Sequence, residues 1–541
     1  MKNGSLVFLI MLLTPLVGVS QNIYWVGFPD KSSNSFSIQH PEQYLSPRAI
    51  QRRLKQQISI TEEDLPVSQH YVDSIKKTGA EILFPLKWLN GVVVKPSVSQ
   101  LEAIQKMKFP ITVTSIYEEA SGTPISGIQN HKTSTKIEFN KSYYGNGYSA
   151  ITNISGNYIH QKGFMGQGML IAIIDDGFSN ADRMSIFANA FSQDRVIATK
   201  DFVNPHSNIF TEDSHGTHVL SIIAANAPTF MVGTAPEANF VLLRSENFDS
   251  EQLVEEYYWS AAAEYADSIG ADITNTSLGY TTFDIPNQNH TYGDLTGETT
   301  PISISCSIAA KKGMLMVCSA GNEGSSTWKH ISVPADAKEI LTVGSINLDS
   351  SLSTFSSIGP TADGRVKPDV VALGTDVGII GNLNSPSLGN GTSYSAPIIT
   401  GMAACLWQAF PNLTSNQIRE TIICTSNQYS NPTNSKGFGI PQARLAYNNL
   451  LEVTGESRCI RPDISPNPFS NDINITINAQ SASEIVVTIY TCTGELVLRE
   501  QIPISLTGNV IIPVSKNLPK GIYIVNITCG ECIWREKLVK Q

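Results

Sequence analysis

Runs of apolar residues alternate with helical patterns through the middle of this chain. Residues 169–174 contain no polar side chain, and neither do residues 314–317. Such runs are typical of strands that are buried on both faces of a parallel sheet. Apolar helices are predicted near residues 220–225 and 398–410, each after a glycine-containing turn. This alternation predicts an α/β domain with a doubly wound parallel sheet and helices on both faces.

The pattern before residue 120 is different and contains no catalytic motif. A turn and strand are predicted at residues 88–94, an amphipathic helix at 97–108 and another strand at 111–114. Together they predict a small α+β domain. The basic segment at residues 47–55 is short, and we interpret it as a solvated helix face.

Beyond residue 452 the pattern changes again. The proline-rich stretch at residues 462–469 predicts a linker. Short strands with alternating side chains follow, at residues 473–477, 485–490, 510–514 and 522–527. Regularly spaced short strands between turns predict a β-sandwich.

Composition and the N-terminus indicate export. The first twenty residues have the pattern of a signal peptide, with Lys2, an apolar core at 6–13 and small residues at 18–20. That core is too short to span a membrane. With 541 residues, 41% of them hydrophobic and 16% charged, the chain is long enough for several folded domains. A net charge of −10 gives no reason to expect nucleic acid as a partner.

The eight cysteines are compatible with disulfides in an exported protein. For Cys318 and Cys405, which lie in apolar runs, buried free thiols are at least as well supported. Cys529 and Cys532 form a CxxC pair, for which a local disulfide is favoured over a redox or zinc site. The pairing of the others is not readable from the sequence.

Four polar residues stand at the ends of the apolar elements. Asp175 follows the first strand, Asn322 follows the second, and His215 and Ser393 precede the two helices. Sites in open α/β sheets form beyond the carboxyl ends of strands, and a helix N-terminus stabilises an oxyanion. A serine hydroxyl needs a base, histidine supplies one near neutral pH, and a carboxylate orients the histidine. A serine at a helix start is by itself more often only a cap.

Together with Ser277-Leu278-Gly279, these segments resemble the subtilisin (subtilase) family of serine proteases, in which the triad has the same chain order. The resemblance covers residues 150–450 and implies a serine endopeptidase. It implies that Asp175 orients His215, which acts as general base and acid for the nucleophile Ser393. It also implies an oxyanion donor and a substrate-binding strand, namely Asn322 and Ser277, Leu278 and Gly279. The polar insertion at residues 283–300 either shapes a substrate subsite or forms a surface loop.

Two features depart from a plain match. The family has Ser or Thr where this chain has Asp176, and we assign the triad role to Asp175 because it directly follows the apolar strand. Asp176 is interpreted as a solvated neighbour, or alternatively as a charge that raises the pKa of His215. His215 and His218 have the spacing of a metal pair, but no acidic residue separates them, so a packed His218 is favoured. We predict no catalytic metal or cofactor, and structural calcium stays open because no loop has a readable set of ligands.

Both flanking regions resemble processing and export modules. Residues 22–120 resemble the propeptide of subtilases, which implies an intramolecular inhibitor and chaperone; an accessory binding domain is the alternative. Residues 466–469, 521–523 and 537–541 resemble the C-terminal sorting domain of the type IX secretion system. This implies export through the periplasm of a Gram-negative bacterium to the cell surface or medium. A carbohydrate-binding or adhesive sandwich is the alternative.

The predicted organisation has six parts. They are a signal peptide (1–20), a propeptide-like domain (21–120), a processing segment (121–150), a peptidase domain (151–452), a linker (453–462) and a sorting domain (463–541). Protein or peptide substrates, the propeptide itself and the type IX secretion machinery are the expected partners.

Two other functions stay open. One is a non-catalytic surface adhesin that retains the protease fold, although all four polar residues of the site are present. The other is an esterase or amidase with the same triad. The Gly-x-Ser-x-Gly elbow of α/β-hydrolases is absent, because Tyr394 and Ser395 follow Ser393.

Overall fold

The chain divides into two compact units, Met1–Ala443 and Arg444–Gln541. The structure is a computed structural model that describes residues 22–118, 142–454, 463–478, 484–503, 507–513, 518–529 and 532–541. The predicted signal peptide, most of the predicted processing segment and most of the predicted linker lie outside the described residues. In the described part of the chain, no helix has both the length and the apolar composition needed to cross a membrane.

The first unit begins with a four-stranded antiparallel sheet and three helices, which confirms the predicted α+β domain. The strands are β1 (Ile23–Gly27), β2 (Glu81–Leu86), β3 (Gly91–Lys95) and β4 (Thr112–Tyr117), in the order β2-β3-β1-β4. The helices are α1 (Pro47–Lys55), α2 (Gln69–Lys76) and α3 (Val98–Gln105). Ser97 and Gln100 form a capping box that begins α3.

The centre of this unit is a seven-stranded parallel sheet. The strands from residue 170 to residue 389 form this sheet and two smaller two-stranded sheets, β7-β8 and β14-β15. They are β5 (Leu170–Asp175), β6 (Val196–Asp201), β7 (Asn226–Ala227), β8 (Met231–Val232), β9 (Asn239–Arg244), β10 (Ile273–Thr276), β11 (Leu315–Ser319), β12 (Leu341–Ile346), β13 (Val370–Leu373), β14 (Val377–Gly381) and β15 (Ser385–Gly389). The order in the parallel sheet is β13-β12-β11-β10-β5-β9-β6. Every residue of β5 and β11 is buried, which explains why these strands lack polar alternation.

Helices cover both faces of the parallel sheet, as predicted. The helices of this region are α4 (Tyr148–Asn153), α5 (Asn157–Gln161), α6 (Ala188–Ser192), α7 (His215–Ala224), α8 (Val254–Ile269), α9 (Pro301–Lys311), α10 (Thr392–Ala409) and α11 (Ser415–Cys424). Alternate residues of β5, Leu170, Ala172 and Ile174, share a hydrophobic core with α8 and α9. Helices α7 and α10 contact each other, and α10 packs on β10 to β13.

The N-terminal sheet belongs to the same core as α8 and α9. Trp25 and Trp88 from this sheet region are buried there, and the ring of Trp25 lies 5.2 Å from that of Tyr257 on α8, measured between centroids. The opposite face of the N-terminal sheet packs on α2 and α3. This domain therefore rests directly on two helices of the central α/β region.

The interpretation of residues 47–55 as a solvated helix face was wrong for Arg52 and Arg53, although Arg48 and Lys55 are exposed. The segment forms α1, whose Arg52 and Arg53 are 4% and 1% exposed. Both pair with Asp267 on α8, and Arg53 also pairs with Asp64 at 2.8 Å. The acidic partner on α8 lies 215 positions from Arg52 in the sequence, and the local pattern of charges gives no sign of it.

The second unit contains α12 (Ala443–Val453), which begins at the boundary between the units, and two antiparallel sheets. The strands are β16 (Asp463–Ser465), β17 (Asp472–Asn478), β18 (Glu484–Thr491), β19 (Leu496–Pro503), β20 (Thr507–Pro513), β21 (Gly521–Cys529) and β22 (Cys532–Lys540), in the orders β16-β17-β20 and β19-β18-β21-β22. Ile473 and Ile512 of one sheet share a core with Val487, Val525 and Leu538 of the other. The predicted sandwich is therefore present, with β16, β19 and β22 as additional strands.

Cysteine side chains in the first unit are free thiols. Cys306, Cys318 and Cys405 are buried, and none of the three forms a disulfide. The side chains of Cys529 and Cys532 lie outside the described residues, so the predicted local disulfide stays a prediction.

Candidate active site

Asp175 and His215 form a polar pair at the carboxyl edge of the parallel sheet. Asp175 is the last residue of β5 and is fully buried, and His215 is the first residue of α7. Nδ1 of His215 lies 2.6 Å from Oδ1 of Asp175. The His215 side chain is 26% exposed, and Nε2 lies on the side of the ring away from the carboxylate. This is the arrangement of an oriented general base.

Asp176 and Asp213 surround the N-terminus of α7. Oδ1 of Asp176 accepts a hydrogen bond from the backbone N–H of Gly216 at 3.2 Å. Oδ1 of Asp213 accepts from the N–H groups of Ser214 at 2.5 Å and His215 at 3.2 Å. Negative charge at a helix N-terminus is favourable. Asp176 is only 7% exposed, so the interpretation of a solvated neighbour was wrong.

The three carboxylates control the protonation of the histidine. Burial lowers the pKa of His215, but Asp175, Asp176 and Asp213 outweigh it and raise that pKa to about 10. Burial and the charge of Asp175 raise the pKa of Asp176 well above its usual value. A proton on Asp176 removes one of the charges that hold the proton on His215, so the two titrations are linked.

Ser393 is the second residue of α10 and is 8% exposed. Its hydroxyl donates to the backbone carbonyl of Ser277 at 3.1 Å. The ring of the next residue, Tyr394, lies 5.9 Å from the ring of His215, measured between centroids, so the start of α10 faces the histidine. The hydrogen bonds of the described residues do not include one between Ser393 and His215. The serine hydroxyl must therefore turn away from Ser277 to meet this base.

Asn322 follows β11 and lies beside the start of α10. Its Oδ1 accepts hydrogen bonds from the N–H of Thr392 at 2.9 Å and from the Thr392 hydroxyl at 3.1 Å. The Thr392 hydroxyl in turn accepts from the N–H of Gly321 at 3.2 Å. Because Oδ1 is held by Thr392, the amide NH₂ group points in the other direction and is available as a donor.

Ser277, Leu278 and Gly279 continue directly from β10. The Ser277 hydroxyl donates to the backbone carbonyl of Ser393 at 2.9 Å. Within the described residues, no backbone hydrogen bond uses the N–H or C=O groups of Leu278 and Gly279. Such an unpaired edge accepts an extended peptide as an additional strand.

The structure thus places all seven sequence-predicted site residues around the ends of β5, β10 and β11. His218 lies further along α7 and faces β14, where a Cβ added at Gly381 would be 2.9 Å from its Nε2. Sequence reasoning missed the positioning roles of Thr392 and Asp213. Asp213 lies one residue before the N-cap Ser214, and an acidic residue beside a helix N-terminus is a signal that would have found it.

Comparisons with known proteins match three regions of the chain. A model of the Subtilase family matches residues 166–440, more than half of the chain. The peptidase S8 propeptide domain of Bacteroidota matches residues 23–136. A secretion system C-terminal sorting domain matches residues 463–541. The last match indicates secretion or export to the cell surface.

Individual relatives share a limited part of the chain. Subtilisin NAT from Bacillus subtilis subsp. natto is 28% identical over 289 residues, which are 52% of this chain and 66% of that protein. Serine protease AprX from Bacillus subtilis (strain 168) is 26% identical over 286 residues, 48% of this chain and 61% of the relative. The chain thus spans less than two thirds of the length of AprX and about two thirds of that of subtilisin NAT. The crystal structure of MycP1 from Mycobacterium smegmatis has 23% identity and a TM-score of 0.44, and the match covers 55% of this chain and 84% of that one.

Proposed function

The chain belongs to the subtilase family of serine peptidases, and from this premise we propose that it is an exported endopeptidase that uses Asp175, His215 and Ser393 as its triad. The observation that carries the proposal is the 2.6 Å contact between His215 and the buried Asp175, together with the position of Ser393 in the first turn of α10. An oriented imidazole next to a serine at a helix N-terminus is equipped for acyl transfer.

Hydrolysis proceeds in two halves. Oγ of Ser393 attacks the carbonyl carbon of the scissile bond while Nε2 of His215 takes the hydroxyl proton, and Asp175 stabilises the imidazolium. His215 then gives this proton to the leaving amine, which frees the new N-terminus. In the second half a water molecule attacks the acyl-enzyme, His215 takes its proton, and Ser393 leaves as a hydroxyl. The steps need no cofactor.

The tetrahedral intermediates carry an oxyanion that needs donors. The Asn322 amide NH₂ and the backbone N–H of Ser393 at the N-terminus of α10 supply them, because Thr392 fixes the amide by its other end. The peptide substrate lies along Leu278 and Gly279, whose backbone groups pair with it.

The flanking domains set the location and timing of activity. Residues 21–120 form a propeptide that folds against α8 and α9 and restrains the enzyme until the segment at 121–150 is cut. Residues 151–452 are the peptidase domain. Residues 463–541 direct the protein through the periplasm to the type IX secretion machinery. The linker at 453–462 joins these residues to the peptidase domain.

A fluorophosphonate probe tests the proposal directly. The full-length chain, after its own processing, is labelled with the probe, and the modified residue is located by mass spectrometry. We expect labelling at Ser393 and loss of labelling in Ser393→Ala. The matched control is Ser395→Ala, on the same helix, whose hydroxyl donates to the backbone carbonyls of Ala372 and Leu373 and not to the site.

The outcomes separate the rival functions. Absence of labelling in a folded chain would favour the adhesin. Labelling of Ser393 together with hydrolysis of esters but not of a peptide library would favour the esterase. Modification of another serine would overturn the assigned triad.

A further inference from the structure

Three separate segments of the second unit converge on its edge strand, β22. They are the segments that resemble a sorting domain in the sequence, residues 466–469, 521–523 and 537–541. Residues 521–523 lie in β21 and pair with residues 538–540 of β22. Residues 466–469 approach β22 from its other side and are called the clamp below.

The clamp bonds to the backbone of β22 along the edge that β21 leaves uncovered. Nδ2 of Asn467 donates to the carbonyl of Lys537 at 2.7 Å, and Oδ1 accepts the N–H of Val539 at 2.9 Å. The N–H of Phe469 donates to the carbonyl of Val539 at 2.8 Å, and the carbonyl of Phe469 accepts the N–H of Gln541 at 3.0 Å. Sheet edges are otherwise open to pairing, so this cover fixes the edge strand in place.

The Phe469 side chain anchors the clamp in the core of the unit. Phe469 is 1% exposed and shares that core with Leu538 of β22. Its ring centroid lies 6.4 Å from that of Tyr523 and 5.2 Å from Nζ of Lys540. The three segments therefore form one packed element, although 70 positions separate Asn467 from Lys537 in the sequence.

The strand held by the clamp carries cations on the outer face of its sheet. Leu538 points to the core, so Lys537, and Arg535 two residues before it, project from the opposite face, where both are exposed. Nε of Arg535 donates to Oδ1 of Asn526 on β21 at 2.9 Å, which orients the guanidinium group. Arg499 of β19 is exposed on the same face, in the same cross-strand row as Arg535. Arg499, Arg535 and Lys537 are called the basic face below.

Acidic side chains of the described residues do not pair with the basic face. The ion pairs found in the described part of the chain include none of its three cations. Glu500 and Glu536 take the alternate positions of β19 and β22, on the side of the core. Glu484 and Glu495 lie at the two ends of the hairpin formed by β18 and β19, outside the row of the two arginines. The basic face thus presents positive charge to solvent.

We propose that the basic face docks on an acidic protein surface of the secretion machinery, and that the clamp positions it. This inference rests on the proposed export function of residues 463–541. Apolar groups border the cations, because Ile522 is 47% exposed on the same face and Tyr490 lies in the row of Lys537. Arginine and aromatic side chains are enriched in protein interfaces, and complementary charge selects the partner. The mixture favours a protein partner over a purely anionic polymer.

Export of full-length variants by the native host tests the basic face. The exported fraction is measured by immunoblots of medium, cell surface and periplasm. The double substitution Arg535→Glu and Lys537→Glu should lower this fraction by about tenfold or more, because like charges then meet across the contact. The double substitution Arg535→Lys and Lys537→Arg keeps both charges and should be exported like the parent.

Asn474→Glu is the control for added negative charge. Asn474 is exposed on the outer face of the other sheet, between Ile473 and Ile475, which point to the core. This variant should be exported like the parent. The purified variants should all keep the Tm of the parent, since only exposed side chains change. If the double Glu variant has a lower Tm, Lys537→Gln alone, for which we expect a smaller loss of export, decides the question.

Asn467→Ala tests the positioning role of the clamp. It removes both side-chain bonds to β22 and leaves Phe469 in the core. We expect faster amide hydrogen exchange in residues 532–541, unchanged exchange in residues 484–491, and an exported fraction lowered by roughly tenfold, because two hydrogen bonds that hold the strand are lost. Unchanged exchange in β18 shows that the unit is still folded. Faster exchange in β22 with normal export would mean that the clamp does not position the docking surface.

The outcomes separate this inference from the proposed function. Normal export after deletion of residues 463–541 would disprove the export function itself. If the deletion blocks export and the double Glu variant is exported normally, the basic face is not the docking surface. Loss of export in the charge-conserving variant or in Asn474→Glu would also overturn the proposal, because the loss would then not depend on the charge of this face. Normal export of the double Glu variant with loss of binding to a surface polysaccharide would make the basic face a glycan site.

Discussion

Ser393 and Ser277 are joined by two reciprocal hydrogen bonds. The Ser393 hydroxyl donates to the Ser277 carbonyl at 3.1 Å, and the Ser277 hydroxyl donates to the Ser393 carbonyl at 2.9 Å. The pair fixes the start of α10 to the strand that is proposed to bind the peptide. In the proposed mechanism the bond donated by the Ser393 hydroxyl holds the proton that His215 accepts, so the Ser393 side chain has to rotate before the proton is transferred.

Ser393→Ala should abolish proteolysis and leave the unprocessed precursor. Removal of the nucleophile lowers kcat by roughly a million-fold, the magnitude known for subtilisin, a member of the same family. Gel analysis of the precursor and a peptide cleavage assay measure both effects. An active protein of mature size with this substitution would contradict the assignment.

Asn322→Ala should lower kcat by roughly a hundred- to a thousand-fold with little change in KM, because the amide meets charge that develops only in the transition state. This magnitude too is that of subtilisin. Steady-state kinetics on one peptide separate the two constants. A change mainly in KM would make Asn322 a substrate-binding residue.

Thr392→Val provides the matched control for this prediction. It keeps the Thr392 N–H bond to Oδ1 of Asn322 and removes two hydroxyl bonds, the one donated to Asn322 at 3.1 Å and the one accepted from the N–H of Gly321 at 3.2 Å. Since each hydrogen bond contributes about 1 kcal/mol, the loss in kcat should be no more than roughly thirtyfold. A loss as large as that of Asn322→Ala would mean that Thr392 itself acts in catalysis.

The sequence predicts the framework of the site well, for a physical reason. Strands β5 and β11 are buried on both faces, so their apolar runs mark them without any tertiary information. The residues that follow them are then placed at one edge of the sheet. The burial of Arg53 and of Asp176 is different, because it depends on groups brought there by the fold. Their local patterns are those of surface residues, and the sequence-based interpretation failed for that reason.

Asp175→Asn should be far more damaging than Asp176→Ser. The first removes the group that fixes the tautomer of His215, a loss of roughly ten-thousand-fold in kcat in a triad of this kind. The second removes a charge that bonds to the N–H of Gly216 and not to the imidazole. Kinetics of the two variants measure the difference. If Asp176→Ser is the worse, the triad aspartate has been assigned one residue too early.

Asp176→Ser should also move the acid limb of the pH profile of kcat/KM to lower pH. His215 accepts a proton only when it is neutral, so kcat/KM falls as the pH drops through its pKa. Asp176 is one of the charges that raise this pKa, to about 10. Its removal lowers the pKa and increases the neutral fraction at a given pH. If the acid limb moved to higher pH, or did not move at all, the charge of Asp176 would not be what raises the pKa of His215.

Deletion of residues 463–541 should leave a folded, active protease that is not exported. The deleted strands have a core of their own, formed by residues such as Ile473, Val487 and Val525, so the peptidase domain should fold without them. Fractionation of the native host should find the truncated protein in the periplasm. Normal export with loss of binding to a surface or polysaccharide would make this domain an adhesive module.

Arg53→Met in a separately produced propeptide, residues 22–118, should weaken its inhibition of the mature enzyme. Arg53 is 1% exposed and pairs with Asp267 of α8 at 2.9 Å, so the change leaves a buried carboxylate less compensated. Breaking a buried pair costs about 3 kcal/mol or more when no other partner remains. Because Arg52 and Lys87 still contact Asp267, we expect the inhibition constant to rise by roughly ten- to a hundred-fold.

The matched control for Arg53 is Arg48→Met in the same propeptide. Arg48 pairs with Asp272 at the rim of the same contact, where its side chain is 42% exposed. Arg48 also donates to the backbone carbonyls of Gly270 at 3.0 Å and Gly168 at 2.8 Å. Because these contacts are at an exposed rim and an exposed pair contributes about 1 kcal/mol or less, the inhibition constant should rise by less than roughly tenfold. The enzyme is identical in both assays, which excludes any effect on catalysis itself. Equal effects of the two substitutions would mean that general positive charge, and not the buried pair with Asp267, holds the propeptide on α8.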